Sequence, residues 1–180
     1  MMRLKSLCHA QMLIALTGVL GLGVACSNRA NNNPQFKDSV KTALQQADLG
    51  DVSVSEDASK NTITLTGTLH SEDSKTKAGE IAQSSAGSRV VANEISVEPV
   101  GNESQARKVE SNVDDGIESN YKASLISKGL DKQRIRYAAK NGVLTLTGSV
   151  KSPSERKEAQ LLAQSTPKVT QVVNQIEVRR

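Results

Sequence analysis

From residue 63 to 69 the chain reads Ile-Thr-Leu-Thr-Gly-Thr-Leu, with apolar and polar positions in alternation. That period predicts a half-buried β-strand. Ile63, Leu65 and Leu69 share one face with Gly67, while Thr62, Thr64, Thr66 and Thr68 take the other. A second alternating run, 51–58, lies just ahead across Ser59-Lys60-Asn61-Thr62. The two runs predict an antiparallel hairpin. A glycine on the apolar face, as at Gly67, marks a bend or the close approach of another backbone.

On either side of the hairpin the period changes. Phe36, Val40, Ala43 and Leu44 recur at three- and four-residue spacing, which predicts a helix with Gly50 as its stop. Ser71, with Glu72 and Asp73 behind it, opens a second helix whose inner face is Ala78, Ile81 and Ala82. A last alternating run, Val91 to Val97, predicts a third strand.

The whole pattern then recurs 81 residues later without a gap. Val40 meets Tyr121, Leu44 meets Leu125, Ile63 meets Leu144, Leu65 meets Leu146, Gly67 meets Gly148 and Ala78 meets Ala159. A fixed offset through an entire segment marks a duplicated structural unit. In the second copy the hairpin turn is Asn141-Gly142, and Ser152-Pro153-Ser154-Glu155 supplies an N-cap, an N1 proline and a capping-box partner. Val109, Val113, Ile117, Tyr121 and Leu125 continue one stripe backwards, so the first helix of this copy starts earlier than its counterpart. The expected architecture is α+β: two tandem αββαβ modules, 36–98 and 117–180. Each is a three-stranded mixed sheet with two helices on one face and its last strand parallel to a neighbour. Residues 99–116 are the linker and the N-terminal extension of the next helix.

The N-terminus departs from this pattern. Arg3 and Lys5 precede an apolar run, 12–25, which is interrupted by Thr17 and falls short of the roughly 20 apolar residues of a spanning helix. This is an export signal over 1–25. The run ends on Cys26, with Leu22, Val24 and Ala25 before it and Ser27 after it, and it resembles the lipobox of bacterial lipoproteins. Gly23 stands where that pattern usually has Leu, which leaves ordinary cleavage near Ala25 or Cys26 as the alternative. Cys8 is the only other cysteine and lies in the removed segment, so a lone Cys26 is expected to carry acyl chains. Residues 26–35, polar and Asn-rich, read as a tether.

The phrases LTLTGSV and VVNQIEV, with the strand glycines Gly67 and Gly148 and the V-x-N-x-I-x-V of each last strand, resemble the BON (bacterial OsmY and nodulation) domain. Both copies fit end to end. Lys168 departs from the pattern, standing where the first copy has Gly87, and it touches only a turn. A lipidated chain with two such modules resembles the dual-BON lipoproteins of Gram-negative envelopes. The resemblance implies a non-enzymatic envelope protein. Ser27, in place of an acidic residue after the cysteine, resembles outer-membrane sorting in some bacteria, so the expected placement is lipid-anchored at the outer membrane facing the periplasm, with a soluble periplasmic chain as the alternative. In relatives the second module can bind anionic phospholipid.

Composition adds charge asymmetry and excludes several chemistries. Residues 36–100 carry six Lys/Arg against ten Asp/Glu, and 101–180 carry fourteen against nine. The excess of base concentrates at 128–140, where Lys128, Lys132, Arg134, Arg136 and Lys140 replace non-basic residues of the first copy. Arg134 and Arg136 share a strand face, and near an anionic bilayer each base is worth on the order of 1 kcal/mol. With Tyr121 on the preceding helix, these are the candidate phospholipid-binding residues, set against a merely solvated basic face. His70 is the one histidine after residue 26 and has Lys151 as its counterpart, so no catalytic residue, metal site or cofactor is expected. Phe36, Tyr121 and Tyr137 are too few aromatics for nucleic-acid stacking. Asn93 and Asn174, in phase with the buried positions of the last strands, are expected to tie a nearby helix or loop. Expected partners are the membrane, through acyl chains and anionic phospholipid, with envelope proteins as the alternative. In that second reading the chain is a scaffold or chaperone that binds proteins through its threonine-rich strands.

Overall fold

The computed structural model describes residues 35–179. The expected signal segment, Cys26 and the tether up to residue 34 lie outside them. In chain order the first module is α1 (Lys37–Gln46), β1 (Ser53–Asp57), β2 (Thr62–Thr66), β3 (Thr68–Leu69), α2 (Glu72–Ser85), β4 (Val90–Asn93) and β5 (Ser96–Val97). The second is α3 (Glu103–Ser127), β6 (Arg134–Lys140), β7 (Val143–Val150), α4 (Pro153–Gln164), β8 (Gln171–Asn174) and β9 (Glu177–Val178). The fold is α+β, with two repeats of one topology. β1 and β2 are antiparallel and β4 lies parallel to β2; β6, β7 and β8 repeat the arrangement.

Two of the helices, α2 and α4, are capped by residues beside them. Ser152 accepts the Glu155 N–H while the Glu155 carboxylate accepts the Ser152 N–H at 3.0 Å, a complete capping box with Pro153 inside it. The Ser71 hydroxyl caps α2 through the Ser74 N–H at 3.2 Å. α1 has no cap of its own. The Glu56 carboxylate, on β1, accepts the Phe36 and Lys37 N–H groups at 2.9 Å each, and the Arg89 Nε donates to the same carboxylate at 2.9 Å. Those two side chains are only 6% and 4% exposed, so the pair is buried.

The stop of α1 differs from expectation. α1 ends at Gln46, and Asp48, not Gly50, takes the left-handed conformation with φ 60°. Gly129 is its counterpart after α3, with φ 69°. The short Asp side chain tolerates that region, so the stop needed no glycine.

Three apolar clusters result. Val40, Leu44, Ile63, Leu65, Ala78 and Ala82 fill the first module, and Ile117, Tyr121, Leu125, Leu144, Leu146 and Ala159 the second. Alanines on α2 and α4 let each helix lie close to its sheet. The third cluster, Ala92, Val143 and Val173, joins the modules. There the Gln171 side chain accepts the Asn93 N–H at 3.1 Å and donates to the Val91 carbonyl, so one amide substitutes for a strand along the free edge of β4. Gln175 Nε2 donates to Thr62 Oγ1 at 2.9 Å. Thr62, expected on the open polar face, is therefore buried, because the second module covers it.

Of the stretch 99–116, expected as a linker plus the N-terminal extension of the next helix, all from Glu103 onward is α3, and that helix stitches both sheets. Its Glu110 accepts the Val97 N–H of β5 at 2.9 Å, Asp114 accepts the Asn141 and Gly142 N–H groups at 2.7 and 3.0 Å, and Glu118 accepts the Ala139 N–H at 2.9 Å. Carboxylates at four-residue spacing thus pair backbone donors in both modules.

Lys168 and Gly87 occupy equivalent turns, with φ 68° and 60°. In the first module a β-carbon at Gly87 would sit 2.5 Å from the Phe36 ring, so any other residue there would have to displace that ring. The second module has Ile117 in place of Phe36, and lysine fits at the expense of left-handed strain. Lys168→Gly should therefore stabilise the chain by about 1 kcal/mol, read as a higher urea midpoint. A lower midpoint would show that the lysine side chain itself holds the turn.

Candidate functional site

Alternation along β6 sends Ile135, Tyr137 and Ala139 toward the second core and leaves Arg134, Arg136, Ala138 and Lys140 exposed. Arg134 stands opposite Ser149, and Arg136 opposite Thr147, on β7. Neither guanidinium has an acceptor among the described residues. Beyond β7, Ser149 is paired with Glu177 of β9. These rows floor a cleft of about 870 Å³ that also receives Lys60 and Arg179. Glu177 is its one carboxylate, and Arg179 covers it with contacts of 2.8 and 2.5 Å. With Arg179 spent on that carboxylate, Lys60, Arg134 and Arg136 are left to make a concave, positively charged surface.

Backbone geometry fixes the floor. Gly148 has φ 101°, and a β-carbon there would run into the Arg134 carbonyl oxygen. Only glycine lets β6 lie that close to β7 beside the cleft. Gly67 has φ 128°, with a prospective β-carbon 3.1 Å from the Asp51 carbonyl oxygen, and here the strand breaks into β2 and β3.

The other candidate residues are dispersed. Lys128 and Lys132 are exposed beyond the cleft, in the turn that leads from α3 to β6. Lys140, at the far end of β6, pairs with Glu94 of the first module at 3.4 Å. Tyr121 requires a correction: it is fully buried, with its hydroxyl 3.2 Å from the Ala159 carbonyl and its ring edge-on to Tyr137 at 5.1 Å. Burial, with the neighbouring Tyr137 as a lesser cause, pushes its hydroxyl well above the ordinary tyrosine range. It is a core residue with no exposed surface.

Asn93 and Asn174 hold the last strands to helices. Asn93 Nδ2 donates to the Lys75 carbonyl at 2.8 Å, and Asn174 Nδ2 to Gln160 Oε1 at 3.1 Å. His70 Nδ1 lies 2.9 Å from the Glu98 carbonyl oxygen, a structural contact with no nucleophile in its bonding. Among the described residues no group of three or more His, Cys, Asp or Glu is arranged to hold a metal ion, and no helix is long and apolar enough to cross a membrane.

Lys60 and Arg179 are the residues that the sequence reading missed. Lys60 lies in the acidic copy, in the β1–β2 turn, and nothing in its local pattern points across to the other module. Arg179 follows β9, and only the pairing of β9 with β7 places it beside Arg134.

The family model for the BON domain matches the chain twice, over residues 32–99 and 113–180. The chain belongs to the BON family. The two matches correspond to the two structural repeats, so this is a dual-BON protein. The family is associated with the cell envelope and phospholipid and is in general non-catalytic. A comparison with curated proteins found no match. In the BON framework the cleft lies on the outer face of the second sheet, opposite the helices, and the turn of the first BON module forms one wall.

Proposed function

We propose that this dual-BON protein is a non-enzymatic envelope lipoprotein that binds anionic phospholipid through the outer face of its second BON sheet. One observation carries the reading: Arg134 and Arg136 project from one strand face into a cationic cleft, and among the described residues neither guanidinium has an acceptor. A guanidinium is planar and suits phosphate oxygens. Acylation at Cys26 would hold the cleft near the bilayer and raise its effective concentration there. Support of envelope integrity belongs to the same reading, and placement at the outer membrane rests on Ser27, which follows Cys26 where an acidic residue is avoided. The scaffold alternative loses surface, because Thr62, the first of the threonines it relies on, is buried between the modules.

Vesicle co-sedimentation of the unacylated chain from residue 27 onward tests this. Binding to anionic vesicles should fall with salt and be absent on neutral ones. Arg134→Ser with Arg136→Ser should weaken it about 10- to 30-fold, given about 1 kcal/mol per base near the surface. Unchanged binding in that variant, or none in the parent, would overturn the assignment and move the search to protein partners.

A further inference from the structure

The cleft is not a property of the second module alone. Its wall is the β1–β2 turn, whose shape is built with unusual care. Asp57 Oδ1 accepts the Ser59 and Lys60 N–H groups at 3.1 Å each and the Ser59 hydroxyl at 2.6 Å. Asn61 takes the left-handed conformation with φ 55° and donates to the Ser88 carbonyl at 3.0 Å. The next residue, Thr62, is bound by Gln175, which itself lines the cleft. The turn is thus rigid and docked, and it delivers Lys60 over the sheet of the other module.

We propose that the cleft is a two-module receptor for a single phosphate ester group, with Lys60 from the first BON module closing on the same phosphate that Arg134 and Arg136 hold from the second. This rests on the membrane reading above and deepens it: the group bound is the headgroup phosphate of an anionic phospholipid, gripped in a pocket rather than attracted to a flat surface. The volume lies in the range of small-ligand sites. The floor supplies the Ser149 hydroxyl beside the guanidiniums, and the Thr147 hydroxyl, now 3.5 Å from the Arg136 carbonyl, is within a rotation of the same group. Glu177 would repel an anion, and Arg179 neutralises it in place. The Lys60 amine rests on Asp57 Oδ2 at 3.5 Å, with both side chains about half exposed. Such a contact is weak, so the amine turns to a bound phosphate at little cost.

Duplication takes on a purpose in this arrangement. Neither copy holds the complete cation set, and the site exists only while the modules stay docked, through Gln175 with Thr62 and Gln171 with Asn93 and Val91 among other contacts.

The full chain, titrated calorimetrically with inorganic phosphate and with glycerol phosphate, and assayed on phosphatidylglycerol and phosphatidylcholine vesicles, decides the matter. Lys60→Ser should weaken both glycerol phosphate and phosphatidylglycerol binding about fivefold. Lys157→Ser, which removes the same charge from the exposed face of α4, should change neither. Binding to phosphatidylglycerol that depends on Arg134 and Arg136 but is indifferent to Lys60, with no saturable binding of glycerol phosphate, would overturn this inference and leave the membrane reading standing. Saturable, Lys60-dependent binding of the soluble phosphates without vesicle binding would keep the two-module site and overturn its lipid source. No binding of any probe would overturn both.

Discussion

Arg89→Ala should lower the unfolding free energy by about 3–5 kcal/mol, the cost of leaving a buried carboxylate without its cation. The Glu56 carboxylate would keep the Phe36 and Lys37 N–H groups and lose the guanidinium at 2.9 Å. Asn61 Oδ1 would lose its donor, Arg89 Nη1 at 2.8 Å, and the Phe36 ring the cation that lies over it, 5.8 Å from its centroid. The start of α1 and the wall of the cleft share this one residue, so the damage spreads to both. Burial pushes the Glu56 carboxyl up. The Lys37 N–H, the Arg89 side chain and charge, and the Phe36 N–H outweigh that and hold it below its ordinary value of 4.5.

The sign of the pH effect follows. A carboxyl with a depressed folded-state pKa contributes stability that is present above its unfolded value and is lost as the pH falls through the folded one. Glu56→Gln should therefore be most destabilising at neutral pH, with the gap from the parent narrowing below pH 4.5. Urea unfolding of the parent, Arg89→Ala and Glu56→Gln at neutral and acid pH checks both statements. A loss under about 1 kcal/mol for Arg89→Ala at neutral pH, or a gap that widens in acid, would show that the pair does not secure α1.

Gly148→Ala should be the next most damaging single change. Two costs combine: a side chain held at φ 101°, about 1–3 kcal/mol, and displacement of β6 by a β-carbon aimed at the Arg134 carbonyl, of similar size. Gly67→Ala is its internal control. It carries the same kind of backbone strain, but its β-carbon stops 3.1 Å from the Asp51 carbonyl, in a strand already broken at that point. Gly148→Ala should therefore show the larger drop in urea midpoint and also weaker binding to anionic vesicles, because Arg134 moves with its backbone. Equal midpoints for the two variants would mean that β6 absorbs the extra carbon without moving.

Much of this molecule was legible along the chain because the signals were local. The Thr62–Leu69 alternation, the alanine faces of α2 and α4 and the Ser152 capping box each depend on residues within a few positions of one another. The duplication doubled every such signal, so weak patterns such as α1 gained support from α3. Arg134 and Arg136 were legible for the same reason: a strand that buries Ile135 and Tyr137 must expose their neighbours. The helix stop at Asp48 was misread because composition favours glycine, whereas the left-handed conformation asks only for a side chain that tolerates it. Tyr121 was misread because an aromatic ring with a hydroxyl suits an interface as well as a core, and only the Ala159 carbonyl opposite it decides which.

By itself, then, the amino-acid sequence determined the elements, their order, the two cores and the family, since periodicity, caps and an 81-residue repeat are properties of neighbouring positions. Tertiary structure alone decided what the outer sheet faces do. It covered Thr62, turned Lys140 toward Glu94, and brought Lys60 and Arg179 to the arginines of β6. Those outcomes depend on how one module docks on the other, through contacts such as Gln175 with Thr62, 113 residues apart. No period along a chain records such a contact, because the docking is set by the shapes of two folded surfaces.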